Sequence, residues 1–368
     1  MIRHSTVACE WALLKNDFLK EMNKVCRKDL LQVDISEKEE AIYFYQNEII
    51  NTLKQYLGVK HFFLTANGTQ SIYIALKIKG IGHDDEVVTT PYSFIATANA
   101  IELSGAKPVF VDIKKDTWNI DENKIEEKIT NKTKAILTVD LFGNPCNYDK
   151  INEIGKKYNI PIIDDACQAF MSEYHGKKIG NICDITCFSF ENGKIFGNLG
   201  RGGAIATNNN IEANIIESIL DHGSNGHNHY IRVGTNGDWE YMEIIYLYCK
   251  LKYLKNNLQY RNDIINIYKQ MKNVEFQTIE KYGISAWYKP QVIFKNEHSL
   301  NIAKNIFELD NLYSKDVPSN TRYNNFRNNT PISKYISENS LTLPMYEFLD
   351  KNLVQKSVEE YNSLIGKV

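Results

Sequence analysis

The stretch Asp184-Ile185-Thr186-Cys187-Phe188-Ser189-Phe190-Glu191-Asn192-Gly193-Lys194 joins a short apolar run to a lysine among small residues. Its first seven residues, Asp184–Phe190, have the length and the β-branched and aromatic content of a buried strand. Similar runs lie on either side, at His61–Thr65, Glu86–Thr90, Pro108–Asp112, Lys134–Val139, Ile160–Asp164 and Gly203–Thr207. Helical patterns separate most of them, for instance Thr69–Ile78 and Asn147–Tyr158. That order predicts an α/β fold, a mainly parallel sheet with helices on both faces. Ahead of it, Ser36 and Glu39 form a capping box, and Ile42, Ile49, Ile50, Leu53 and Leu57 give a helical stripe ending at Gly58.

From Trp239 to about Met271 there is no Gly or Pro, and Ile244, Leu247, Leu251, Leu254 and Leu258 recur at helical spacing. One long helix is expected there, leaving a large domain of residues 1–240 for a smaller one of 241–368. Lys250-Leu251-Lys252 reads as helix surface. Trp287–Phe294 is expected to be a strand, Asn311–Thr330 a loop, and Asp350–Ile365 a final helix.

The balance of charge excludes several classes of function. A net charge of −2 gives no basic field for nucleic acid. No stretch approaches the roughly 20 apolar residues that span a bilayer, and the first residues do not read as a secretory signal. The seven cysteines are irregularly spaced, which favours buried thiols in a reducing cytoplasm over a disulfide framework. Cys183 and Cys187 have no histidine pair nearby to complete a zinc site.

In open parallel sheets ligands gather at the carboxyl ends of the strands, so the polar residues just beyond these runs carry most weight. Asn67-Gly68-Thr69 can aim amides and a hydroxyl at a phosphate, or be a plain helix cap. Asp164-Asp165 could bind a metal, hold a protonated ring nitrogen, or cap a helix from Ala166. Lys194 could be a solvated loop residue; desolvated, its lowered pKa would let it attack a carbonyl.

Taken together, a phosphate cradle, an acid and an imine-forming lysine are what pyridoxal 5'-phosphate needs. Their order resembles the DegT-type sugar aminotransferases, which are fold type I pyridoxal-phosphate enzymes. The matching stretches are Asn67–Thr69, Pro91–Thr97, Leu141–Pro145, Asp164–Ala169, Gly176–Gly180 and Asp184–Lys194, within about residues 60–260. The resemblance implies that Lys194 bonds the cofactor and later moves the proton, and that Asp165 pairs with its ring nitrogen. It also implies that Gln168 meets the ring hydroxyl, that Gly68, Thr69 and Ser189 hold the phosphate, and that Phe94 stacks on the ring. Asn236 matches a residue that reaches the neighbouring subunit's phosphate, which implies a homodimer. A lysine at 194, where dehydratase members have histidine, implies transamination. The implied reactants are L-glutamate and a nucleotide-linked keto sugar. The longer spacing from Lys194 to Gly202-Gly203, with Gly197-Asn198-Leu199-Gly200 between, resembles members acting at C3 of a dTDP-linked 3-keto-6-deoxyhexose. The alternatives are amination at C4 of a UDP- or GDP-linked sugar or of a cyclitol ketone, and a paralogue without catalysis that serves as a binding partner.

Six residues depart from the resemblance. Arg201 stands where an acid is usual, and Asp238 where an arginine is usual, which is either an ion pair reversed within the dimer or independent drift on a solvated surface. Glu191 replaces an aromatic residue or histidine, and Glu243-Ile244-Ile245 replaces Gln-Ala-Ala, which requires repacking of a helix interface.

Overall fold

The fold is taken from a computed structural model that describes residues 1–2, 7–25, 35–226, 229–311 and 329–366. Two helices, α1 (Val7–Val25) and α2 (Ile35–Leu57), precede β1 (His61–Thr65), α3 (Gly68–Ile78), β2 (Glu86–Thr89), α4 (Ala96–Ser104) and β3 (Lys107–Phe110). There follow β4 (Thr133–Val139), α5 (Tyr148–Tyr158), β5 (Ile162–Asp165) and the short β6 (Glu173–Tyr174) and β7 (Lys177–Lys178). Next come β8 (Ile185–Ser189), β9 (Gly203–Thr207) and α6 (Asn210–Leu220).

Seven strands form one sheet in the order β1-β9-β8-β5-β4-β2-β3. Only β9 runs against the others, pairing antiparallel with both β1 and β8, so the mainly parallel sheet expected from the sequence is what forms. Its strands are apolar throughout because both faces are covered. Along β8, Ile185 and Cys187 pack with α3, α4 and α6, whereas Phe188 packs with α1, α2 and α7. Alternation along a strand sends neighbouring side chains to opposite faces.

The stripe on α2 is buried at Ile42, Ile49, Leu53 and Leu57, and the helix ends at Gly58 with φ +70. The helix begins at Ile35, so Ser36 lies in its first turn and not at its cap; the side chains of that turn are outside the described residues.

The single helix expected from Trp239 is divided into α7 (Tyr241–Lys250) and α8 (Leu254–Tyr268) by a 3-10 turn at Leu251–Tyr253. No Gly or Pro marks the break, which follows directly after Lys250. Lys250 is fully buried, contrary to its reading as helix surface. Its Nζ donates to Gly197 O at 2.7 Å and Glu10 Oε2 at 3.0 Å, and stands 3.3 Å from Glu347 Oε2. Lys252 is exposed as expected and pairs with Asp17.

Beyond lie β10 (Val274–Phe276), β11 (Gly283–Ile284), β12 (Gln291–Phe294), α9 (Glu297–Ile306), α10 (Pro331–Asn339), β13 (Leu341–Thr342) and α11 (Lys351–Ile365). The strand expected from Trp287 begins only at Gln291. Trp287 has φ +48, and Pro290 has no N–H for a ladder. Strands β10, β12 and β13 form a second sheet, with a core of its own that includes Ile264, Phe307 and Tyr361. Asp350 caps α11 through the N–H groups of Asn352 and Leu353. Most of the loop expected at 311–330 lies outside the described residues. Cys146, Cys167, Cys183, Cys187 and Cys249 are free, and among the described residues no cluster suits a metal and no helix is long and apolar enough to cross a membrane.

Candidate active site

A cleft of about 400 Å³ opens at the carboxyl ends of β1, β5 and β8. It is lined by Gly68, Thr69, Phe94, Asp165, Gln168, Ser189 and Lys194. These residues come from four separate segments, and the strand order brings β5 beside β8 and places β1 two strands from β8.

At the end of β1, Asn67 adopts φ −171 and its Oδ1 accepts from Gln70 N at 2.9 Å. The cap and the cradle are therefore compatible, since Asn67 caps α3 and the first-turn N–H groups of Gly68 and Thr69 have no partner within the helix. A Cβ at Gly68 would stand 2.7 Å from Cys167 Sγ and 3.0 Å from Ser189 Cβ. Only glycine leaves that floor open. Trp239 Nε1 ties the approach to α3 by donating to Thr65 O at 2.7 Å.

Asp165 ends β5 and is 6% exposed. Thr97 Oγ1 donates to its Oδ2 at 2.7 Å and Cys167 N to its Oδ1 at 3.2 Å. These two donors fix the orientation of the carboxylate. Asp164 is carried to the other side of the strand, where Thr138 Oγ1 donates to Oδ1 at 3.4 Å. Burial, then the nearby Asp140, pushes the Asp164 carboxyl well above the usual range. Only Asp165 of the two faces the cleft. The helix that these acids might have capped does not form, because Ala166 begins a series of turns.

Lys194 lies in the turn after β8, its N–H donating to Glu191 O at 3.0 Å. Its Nζ sits 4.7 Å from the ring centroid of Tyr288. The sequence suggested a lowered pKa, and the structure corrects this. Burial does push it down, but Tyr288, Cys167, Asp165 and Glu191 push it up and prevail. Gln168 is buried and its Oε1 accepts from Phe142 N at 3.0 Å. Phe94 is 46% exposed, with its ring at the cleft wall.

Asn236 is not among the residues lining the cleft of its own chain. It is exposed, its carbonyl accepting from Gln70 Nε2 at 3.3 Å. Arg201 does line the cleft, and Asp238 does not. Among the described residues no ion pair joins them within the chain. Glu243 instead binds the backbone, its Oε1 accepting from Arg201 N and its Oε2 from Glu240 N, both at 3.2 Å.

Sequence reasoning passed over Ser93, Thr97 and Tyr288. Ser93 and Thr97 are hydroxyls one helical turn apart within a stretch already singled out, and their spacing was the available signal. Tyr288 had none, being far from Lys194 in sequence.

The donor set fits pyridoxal phosphate: a floor kept open by Gly68, hydroxyls at Thr69 and Ser189, an oriented acid, a fixed carboxamide, and a lysine. Residues 28–361 match the model of the DegT/DnrJ/EryC1/StrS aminotransferase family. The UDP-2-acetamido-2-deoxy-3-oxo-D-glucuronate aminotransferase of Pseudomonas aeruginosa is 33% identical over 308 residues, covering 82% of this chain and 86% of its own. The dTDP-3-amino-3,6-dideoxy-alpha-D-galactopyranose transaminase of Aneurinibacillus thermoaerophilus is 31% identical over 353 residues, 94% of this chain and 97% of its own. The crystal structure of NtdA from Bacillus subtilis with bound cofactor PMP superposes with a TM-score of 0.79 at 26% identity, over 95% of this chain and 82% of that one.

Proposed function

Because this chain belongs to the DegT/DnrJ/EryC1/StrS aminotransferase family, we propose that it moves an amino group from L-glutamate to C3 of a nucleotide-linked keto sugar. It is a pyridoxal-phosphate-dependent sugar aminotransferase; the donor, the carbon and the sugar are the further steps of this reading. A dTDP-linked 3-keto-6-deoxyhexose is the acceptor favoured by the spacing after Lys194. The names of both relatives above put the nitrogen at C3, and they differ in nucleotide and at C6.

The observation that carries the assignment is the convergence of Lys194, Asp165, Gln168, Phe94, Gly68, Thr69 and Ser189 on one cleft. When bound, the cofactor supplies an electron sink and a carrier for the amino group. Lys194 would hold it and move the proton at the reacting carbon. Thr97 and Cys167 N hold the Asp165 carboxylate in place, and it would pair with the ring nitrogen. Gly68, Thr69 and Ser189 would receive the phosphate. Asn236 would serve the partner subunit's site in a homodimer. Residues 1–240 would form the cofactor-binding domain and 241–368 the smaller one, in a protein that works in the cytoplasm.

A panel of nucleotide-linked 3-keto and 4-keto sugars, incubated with L-glutamate and followed by mass spectrometry, tests the substrate. Conversion of a 3-keto sugar to its amine is expected. Amination confined to 4-keto sugars would overturn the regiochemistry.

A further inference from the structure

The hairpin that follows Lys194 presents a second cation to the cleft. Strands β8 and β9 pair with Ser189 opposite Gly203, and the pairing continues past the strand ends. Phe190 N donates to Gly202 O at 2.8 Å and Asn192 N to Gly200 O at 2.9 Å. That register sets Glu191 directly opposite Arg201, with both side chains on one face. Both residues are exposed, and both line the cleft that holds Lys194. Yet among the described residues neither the guanidinium nor the Glu191 carboxylate has an ion pair or a side-chain hydrogen bond.

The backbone under Arg201 is held firmly. Glu243 Oε1 accepts from its N–H, Asn198 Nδ2 donates to its carbonyl at 3.2 Å, and Asn198 Oδ1 accepts from Gly200 N at 2.7 Å. The guanidinium is thus a fixed-root, planar, permanently charged fork that is not consumed by the protein's own acids. Such a fork matches a carboxylate in bidentate fashion. Among the residues lining the cleft the only other cation is Lys194, which the reading above reserves for the cofactor.

We propose that Arg201 is the residue that binds the carboxylate of a reactant, with the unpaired Glu191 opposite it as a neighbouring anion that weakens that binding. This rests on the aminotransferase reading and deepens it. The two half-reactions use one cleft in turn, so the carboxylate has two sources: the amino-acid donor, or an acceptor sugar oxidised at C6. A pre-positioned arginine also lowers the ordering cost of binding.

The test uses the cofactor-loaded protein and its Arg201→Gln variant. Calorimetry with glutarate, which cannot react, and bleaching by L-glutamate read the donor. Binding of nucleotide-linked 3-keto sugars carrying a C6 carboxylate or a C6 methyl reads the acceptor. Arg201→Gln is expected to weaken the carboxylate-bearing probe by roughly 10- to 100-fold, the loss of a charge-assisted bidentate contact. The methyl sugar and the cofactor should hold their affinity. Loss confined to glutarate and glutamate assigns the donor; loss confined to the uronate assigns the acceptor. Glu191→Gln should tighten the same probe, since the competing anion is gone. Unchanged affinity for every carboxylate in Arg201→Gln overturns the proposal, as does an equal loss for the methyl sugar or the cofactor. A wild-type protein that neither holds the cofactor nor responds to glutamate would instead sink the aminotransferase reading.

Discussion

Asp165 and Asp164 are adjacent in sequence and chemically alike, and β-strand alternation makes them different residues. One faces the cleft with Thr97 and Cys167 N on its oxygens, and the other faces Thr138 and Asp140. Asp165→Asn is therefore expected to retain the cofactor and lose most turnover, because a neutral amide no longer holds a ring nitrogen protonated. Asp164→Asn should leave the amination rate near that of the wild type in the same assay. The reverse pattern would mean that the wrong acid was assigned. Thr97→Val removes one of two donors to Asp165 and should lower kcat less than Asp165→Asn does. Gly68, Thr69, Asp165 and Lys194 were legible because each ends or follows a strand that points at the site, whereas Phe94, Gln168 and Ser189 were legible only through the family resemblance. Thr97 was not, since its contribution is a hydrogen bond to another side chain and leaves no pattern of its own. Nor was the direction of the Lys194 shift, which depends on Tyr288, a residue brought over from the chain's later part.

Elements join where buried charges meet, and two such places are open to test. Where α7 gives way to α8, Lys250 ties α1 through Glu10, the chain before α11 through Glu347, and the loop after Lys194 through Gly197 O. Removing one partner of a buried ionic cluster typically costs about 3–5 kcal/mol. Lys250→Met should lower stability by that order in a denaturant titration, and a change within experimental error would show the cluster to be inert. The second place is the end of β4. Asp140 Oδ1 accepts from Tyr148 OH at 2.7 Å and Cys146 N at 2.8 Å. Burial, reinforced by Asp165, raises its carboxyl to about 7. The folded state thus holds this proton more tightly than the unfolded chain does. The stability it contributes is fully present below the ordinary carboxylate range and is lost as pH rises through the folded value. Melting temperatures of wild type and Asp140→Asn should diverge in the variant's favour as pH is raised from about 4 to about 8. A difference independent of pH would contradict the assignment. The strands were readable from their apolar runs, whereas the division of α7 from α8 was hidden because no helix-breaking residue marks it.

At the scale of the molecule, the proposed homodimer would complete the cleft that the large sheet builds. Asn236 is exposed and away from its own cleft, while Phe94 remains 46% exposed at the wall. In a two-fold dimer, a residue that serves the partner's site allows two inactive variants to rescue each other. Mixing Lys194→Ala with Asn236→Ala under conditions of subunit exchange should restore turnover through hybrids that have one intact site. If each variant is inactive alone and the mixture stays inactive although hybrids form, Asn236 acts within its own chain. The central claim is that Lys194 is the residue that takes the cofactor. Reduction of the pyridoxal-phosphate-loaded protein with borohydride, followed by proteolysis and mass mapping, tests it most directly. A single pyridoxyl label is expected, on the peptide that carries Lys194, and no label in Lys194→Ala. A label on another lysine, or the same labelling in the variant, would contradict it.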